Sequence, residues 1–197
     1  MVQLASGART RLKSSQEYRE IKQETDRFRR RLRFLAFFTE MLKRNNVDAV
    51  LVGGEAIDVY TAGTFSTSDI DLVVSNKAIA EQLLNKFGFE KKASGLWLSQ
   101  ELIIVVQVIA EPYSGDASKI RTFRVKDYEL KIAAPEDLII NRLYSAKFWK
   151  SNPQRDMEQA IALLRVSPGK IDNKYLNDLA KKNHVMDYLA KAGAFLL

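Results

Sequence analysis

The chain has 197 residues, 46% hydrophobic and 28% charged, which is material for one ordinary domain with an appendage. No run of about 18 apolar residues occurs, so no membrane-spanning helix is expected. The lack of Cys excludes disulfides and thiolate metal sites, and a lone His184 argues against zinc. The formal charge of +7 is concentrated: residues 1–46 hold 12 of the 31 basic but only 5 of the 24 acidic residues. Such an asymmetry suggests a polyanionic partner.

In chain order, Met1–Lys13 reads as a loosely held basic tail without an apolar signal core, so a cytoplasmic protein is expected. Ser14 with Glu17 resembles a capping box, and a helix is predicted from there to about Asn45. Tyr18, Ile21, Phe28, Leu32, Leu35 and Leu42 form its apolar stripe. Opposite lie Arg27, Arg29, Arg30, Arg31 and Arg33. They read either as a surface for nucleic acid or an acidic partner, or as a solvated face with a few ion pairs. The stripe implies packing on a sheet or on a second copy in a homodimer.

The rest is organised around Val50–Val74, VLVGGEAIDVYTAGTFSTSDIDLVV. Ala49–Val52 is β-branched and reads as a strand. Gly53 and Gly54 follow as a turn without Cβ atoms, which lets a ligand approach the backbone. A short helix from Glu55 to Tyr60 would aim its N-terminal N–H groups at that turn, a ready site for phosphate. Asp69-Ile70-Asp71 opens a second strand through Val74. Strand alternation puts Asp69 and Asp71 on one face. Two carboxylates beside a phosphate turn make a candidate site for Mg²⁺ or Mn²⁺.

Ala78–Phe87 reads as a helix closed by Gly88. Leu96–Leu98 and Leu102–Ile109 read as a hairpin that joins the Asp-bearing strand. Gln107 is the one polar residue in LIIVVQVI and faces either the pocket or a backbone partner. Asp116 caps the segment after a turn-rich loop. Arg121–Val125 and Tyr128–Ile132 are short strands. Pro135 starts a helix with Glu136 and Asp137 in its first turn and Leu138, Ile139, Leu143 and Phe148 on its core face. Pro153–Val166 is the next helix, stopped by Ser167-Pro168-Gly169. Helices over Asn173–Lys182 and Val185–Phe195 finish the chain, with His184 a junction residue.

GG-x-A followed by T-x-D-I-D resembles the nucleotidyltransferase fold of the DNA polymerase beta superfamily, in its GG-type branch with AbiEii-like toxins. The match runs from about Val47 to Leu164. PEDLIINRLYSAKFW and RDMEQAIALL resemble the helical pair that follows the sheet there. The resemblance implies an α+β (α/β) fold: a mixed β-sheet with flanking helices, a long N-terminal helix and a C-terminal helical segment. The expected division is 1–46 for the basic tail and helix, 47–134 for the αβ core and 135–197 for the C-terminal helices.

It also implies Mg²⁺-dependent transfer of a nucleoside monophosphate from an NTP to a hydroxyl on RNA, protein or a small molecule. On that reading Gly53, Gly54 and Thr67 bind the nucleotide, Asp69 and Asp71 are catalytic metal ligands, and Arg142 either meets the triphosphate or makes an ion pair with its own chain. The family's third carboxylate falls at Gln107, an amide that brings no charge and cannot act as a base. Glu111, at the same strand parity, is the alternative. Phe65 stands where relatives often have arginine. These departures keep two other readings open. One is a degenerate, toxin–antitoxin-like protein that binds nucleotide or a partner without transfer. The other is a nucleic-acid-binding module built on the basic helix.

Overall fold

The structure, a computed structural model, describes residues 15–110, 112–166 and 171–195. The basic tail, Ser14, Glu111 and the Ser167-Pro168-Gly169 stop lie outside the described residues. Among the described residues eight α-helices flank one mixed sheet of seven strands, which lie side by side in the order Glu90–Lys91, Trp97–Ser99, Ile104–Ile109, Ile70–Val74, Ala49–Val52, Tyr128–Ile132, Arg121–Val125. Among the described residues no helix is long and apolar enough to cross a membrane.

The single helix expected over residues 14–45 is two: α1, Gln16–Gln23, and α2, Arg27–Arg44. Asp26 causes the break. Its carboxylate accepts the Arg29 N–H at 2.8 Å and so starts a new helix where the stripe alone predicted continuation. Ser15 caps α1 by accepting the Tyr18 N–H. Within the stripe Tyr18, Ile21, Leu35 and Leu42 are buried, while Phe28 and Leu32 are half-buried.

Strand β1, Ala49–Val52, feeds directly into α3, Gly53–Tyr60. Strand β2, Ile70–Val74, runs back antiparallel to β1, with Val52 opposite Asp71. Helix α4, Lys77–Lys86, crosses over to β3, Glu90–Lys91, β4, Trp97–Ser99, and β5, Ile104–Ile109. Strands β4 and β5 form the expected hairpin, and β5 lies parallel to β2. Strands β6, Arg121–Val125, and β7, Tyr128–Ile132, make a second hairpin, with β7 parallel to β1. Asp116 caps the short 3₁₀ turn before β6 by accepting the Ser118 N–H.

Leu51, Ile70, Leu72, Val106, Val108, Leu130 and Ile132 are all buried, and α2 and α4 lie against the sheet. Phe34, Phe38, Phe87 and Phe89 fill this layer, with Phe34 and Phe89 stacked at 5.0 Å. Burial of each ring contributes roughly 2–3 kcal/mol. Tyr18 packs beside Phe87, and its hydroxyl donates to Glu101 at 3.0 Å, which fixes α1 to the turn before β5.

Helix α5, Pro135–Tyr144, and α6, Pro153–Val166, pack on each other and on α3. Helices α7, Asn173–Lys182, and α8, Met186–Ala194, close that side. Leu138, Ile139 and Leu143 are buried as expected, but Phe148 is 47% exposed. The reason is local. After Tyr144 the chain winds one π-helical turn, Ser145–Trp149, in which the Lys150 N–H bonds the Ser145 carbonyl. The wider turn breaks the helical phase and swings Phe148 and Trp149 outward.

Candidate active site

The glycine turn and the acid-bearing strand meet at one end of β1. Gly53 has φ +68°, in the region that favours glycine. A Cβ there would lie 2.1 Å from Asp71 Oδ2, and one on Gly54 would lie 2.6 Å from Thr67 Oγ1. The space left by the missing methyls is therefore already taken by the chain's own carboxylate and hydroxyl. The turn is bare so that Asp71 and Thr67 can sit directly against it. Asp69 lies one step before β2; it accepts from the Ser68 hydroxyl at 3.1 Å and from Thr67 Oγ1 at 3.4 Å.

Asp71 is half-buried, and burial pushes its carboxyl from the ordinary 3.8 up to about 6. The neighbouring Asp69 charge adds to the rise and Arg142 opposes it. A desolvated carboxylate crowded by a second one favours a cation or a proton nearby. This pair has the hard oxygen donors that suit Mg²⁺ or Mn²⁺. Gln107 does not complete it. Strand register sets Gln107 beside Asp71, yet it is exposed and lines neither lobe of the cleft. That face of β5 is open to solvent, so the amide needs no buried partner. Among the described residues no group of three or more His, Cys, Asp or Glu is placed to hold a metal. Among the described residues, Asp69 and Asp71 fit one cation shared with a ligand.

The cleft has two lobes. One, ≈ 580 Å³, is lined by Gly54, Thr67, Asp69, Asn152, Arg155 and Gln159. The other, ≈ 510 Å³, is lined by Gly53, Val73, Tyr113, Ser114, Asp137 and Asn141. Asp71, Arg142, Ser145 and Trp149 border both. These volumes suit a small-molecule ligand. Arg142, on α5, donates to Asp156 on α6 at 3.3 Å, and its Nε is buried with no hydrogen-bond acceptor among the described residues. Arg155, beside Asp156, donates to the Phe65 carbonyl at 2.6 Å and ties α6 to the loop before Asp69. Asp156 thus braces α6 on α5, and Arg155 braces α6 on the loop. Asp137 accepts from the hydroxyls of both Tyr113 and Tyr175, which fixes the far wall of the second lobe to α7.

Beneath the turn lies a cluster that sequence reasoning missed. Glu55 and Asp58, on α3, are fully buried. Arg31 of α2 reaches both: its Nε donates to Glu55 at 2.7 Å, and Nη2 lies 3.6 Å from Asp58. Asp58 also accepts the Phe65 and Thr67 N–H groups, each at 2.9 Å, and so holds the loop that presents Thr67 and Asp69. Two acids three residues apart just after the glycine turn were the only available signal. The arginine that joins them lies 24 residues from Glu55 in sequence, beyond any local pattern. Arg33 likewise pairs with Glu17 and Glu20, and Arg30 donates to the Glu24 and Leu102 carbonyls. Arg27 and Arg29 remain exposed.

No family model and no curated protein matches the chain. Two solved structures are similar in fold. An antigenic nucleotidyltransferase-like protein from Paracoccidioides brasiliensis aligns with a TM-score of 0.56 at 17% identity, over 85% of this chain and 92% of that one. The antibiotic-resistance factor ANT(2'')-Ia aligns with a TM-score of 0.52 at 14% identity, over 81% of this chain and 94% of that one. At these identities the likeness concerns architecture alone, and the architecture of this chain is nucleotidyltransferase-like.

Proposed function

We propose that the cleft binds an NTP with a divalent cation and transfers its nucleoside monophosphate to a hydroxyl acceptor. The observation that carries this reading is the contact of Asp71 and Thr67 with the bare Gly53-Gly54 turn. A crowded pair of acids thus lies beside the start of a helix, whose first N–H groups would face a bound anion. The turn and Thr67 would take the phosphates, and Arg142, at the border of both lobes, would steady them with a fixed charge. Asp69 and Asp71 would hold Mg²⁺ or Mn²⁺; when bound, the ion neutralises charge on the phosphates as the α-phosphorus is attacked. Asp58 and Arg155, by pinning the loop around Phe65 and Thr67, keep these groups in place, so positioning is much of the chemistry.

A second reading, binding without transfer, is favoured by Gln107, an exposed amide at the strand position where the resemblance puts the third carboxylate. The two separate cleanly. Calorimetry with ATP and Mg²⁺ should show binding that Asp69→Ala with Asp71→Ala abolishes; unchanged affinity in the double variant removes the site from consideration. α-³²P-labelled NTP incubated with protein and cell extract should then label an RNA, protein or small-molecule acceptor. Binding without labelling identifies the degenerate form, including a toxin–antitoxin role.

A further inference from the structure

Resting on the nucleotide reading, we propose that Trp149 is the base platform of the cleft, stacking on the nucleobase whose phosphates lie at the glycine turn. Three observations carry it. Trp149 is 66% exposed, although a large aromatic ring normally gains by burial. Its exposure is imposed by the π-helical turn Ser145–Trp149, which ends in a left-handed Lys150 at φ 56°. Such turns are frequent at functional sites. The ring stands on the border of both lobes, together with Asp71 and Arg142, so one ligand in the cleft can reach the acids and the indole.

The ring is also braced by an aromatic neighbour. Tyr144 packs edge-on to Trp149 at 6.0 Å and tilts against Phe148 at 4.6 Å, forming a row of three exposed aromatics. Lys147 anchors the same turn by donating to the His184 carbonyl and to Asp187, each at 2.7 Å. A braced indole loses little freedom when a base stacks on it. Stacking uses the π-face that every base has, so this platform accepts purines and pyrimidines alike, with purines somewhat tighter for their larger area.

The test compares ATP with inorganic tripolyphosphate, both with Mg²⁺, by calorimetry. Trp149→Ala should weaken ATP about tenfold and leave tripolyphosphate unchanged, while Trp149→Phe keeps most of the ATP affinity. In a Trp97→Phe background Trp149 is the only indole, and its emission should be quenched by ATP but not by tripolyphosphate. Equal ATP affinity in Trp149→Ala overturns the proposal, as does equal quenching by both ligands. A dimer that dissociates in Trp149→Ala with ATP affinity unchanged would reassign the ring to a subunit contact. If the unmodified protein binds tripolyphosphate and ATP equally, only the stacking proposal falls; if it binds neither, the nucleotide reading itself falls.

Discussion

Gly53 carries two constraints at once. Its φ of +68° costs a side-chain-bearing residue about 1 kcal/mol, and a methyl there would strike a carboxylate oxygen at 2.1 Å. Gly53→Ala should therefore lower stability by roughly 1–3 kcal/mol in urea titrations and abolish Mg²⁺–ATP binding. Gly54→Ala meets the Thr67 hydroxyl at 2.6 Å and the Thr67 Cβ at 3.1 Å but has no positive φ to strain, so it should cost less stability while still weakening binding. Equal and negligible effects at both positions would mean that the turn is not built around these side chains. The glycines and acids were legible in the sequence because each depends on its neighbours alone: a turn needs glycine, and a strand alternates. What the glycines make room for was not legible, since it depends on how β1 and β2 face each other.

At the scale of elements, α2 is a structural member of the site. Arg31 is its only link to Glu55 and Asp58 among the described contacts, and both acids are fully buried. Removing one partner of such a group leaves uncompensated charge, so Arg31→Leu should destabilise by about 3–5 kcal/mol. Arg29→Ala, on the exposed side of the same helix, should stay within about 0.5 kcal/mol. Chemical denaturation of the two variants checks this, and similar costs would refute the arrangement. The arginine run illustrates what one sequence can hide. Five arginines read as a single basic face, yet Arg30, Arg31 and Arg33 bond to their own chain and only Arg27 and Arg29 are exposed. Helix periodicity gave the stripe correctly but missed the break at Asp26, where a cap overrides an unbroken pattern. It also misplaced Phe148, because a π turn shifts the phase on which the pattern depends.

For the whole molecule, the buried acids set how stability responds to pH. Burial raises Glu55 from 4.5 to about 7; Arg31 opposes the rise, while Asp58 and Asp69 add to it. Asp71, raised to about 6, acts in the same direction at lower pH. Between the ordinary and raised values the unfolded chain has released protons that the folded chain still holds. The stability contributed by these two acids is thus fully present below their ordinary values and is lost as pH rises through about 6 for Asp71 and about 7 for Glu55. Thermal melts should show the midpoint falling by roughly 5 °C from pH 5.5 to 7.5, with the upper part of the slope lost in Glu55→Gln. A flat profile, or an unchanged slope in the variant, would contradict it. Every described strand but β3 was read to within two residues, and the pairing of the β4-β5 hairpin with β2 was anticipated; the pairing of β1 with β7 was not, because it joins segments far apart in the chain.

The alternation in β2 has an evolutionary consequence. Ile70, Leu72 and Val74 are sealed in the core and set which way Asp71 looks, while Asp58 holds the loop that presents Asp69. A lineage can therefore exchange either acid without disturbing its scaffold, and even relieve some electrostatic crowding. Silencing such a protein takes one neutral step, whereas redirecting its acids would require dismantling the interior that holds them.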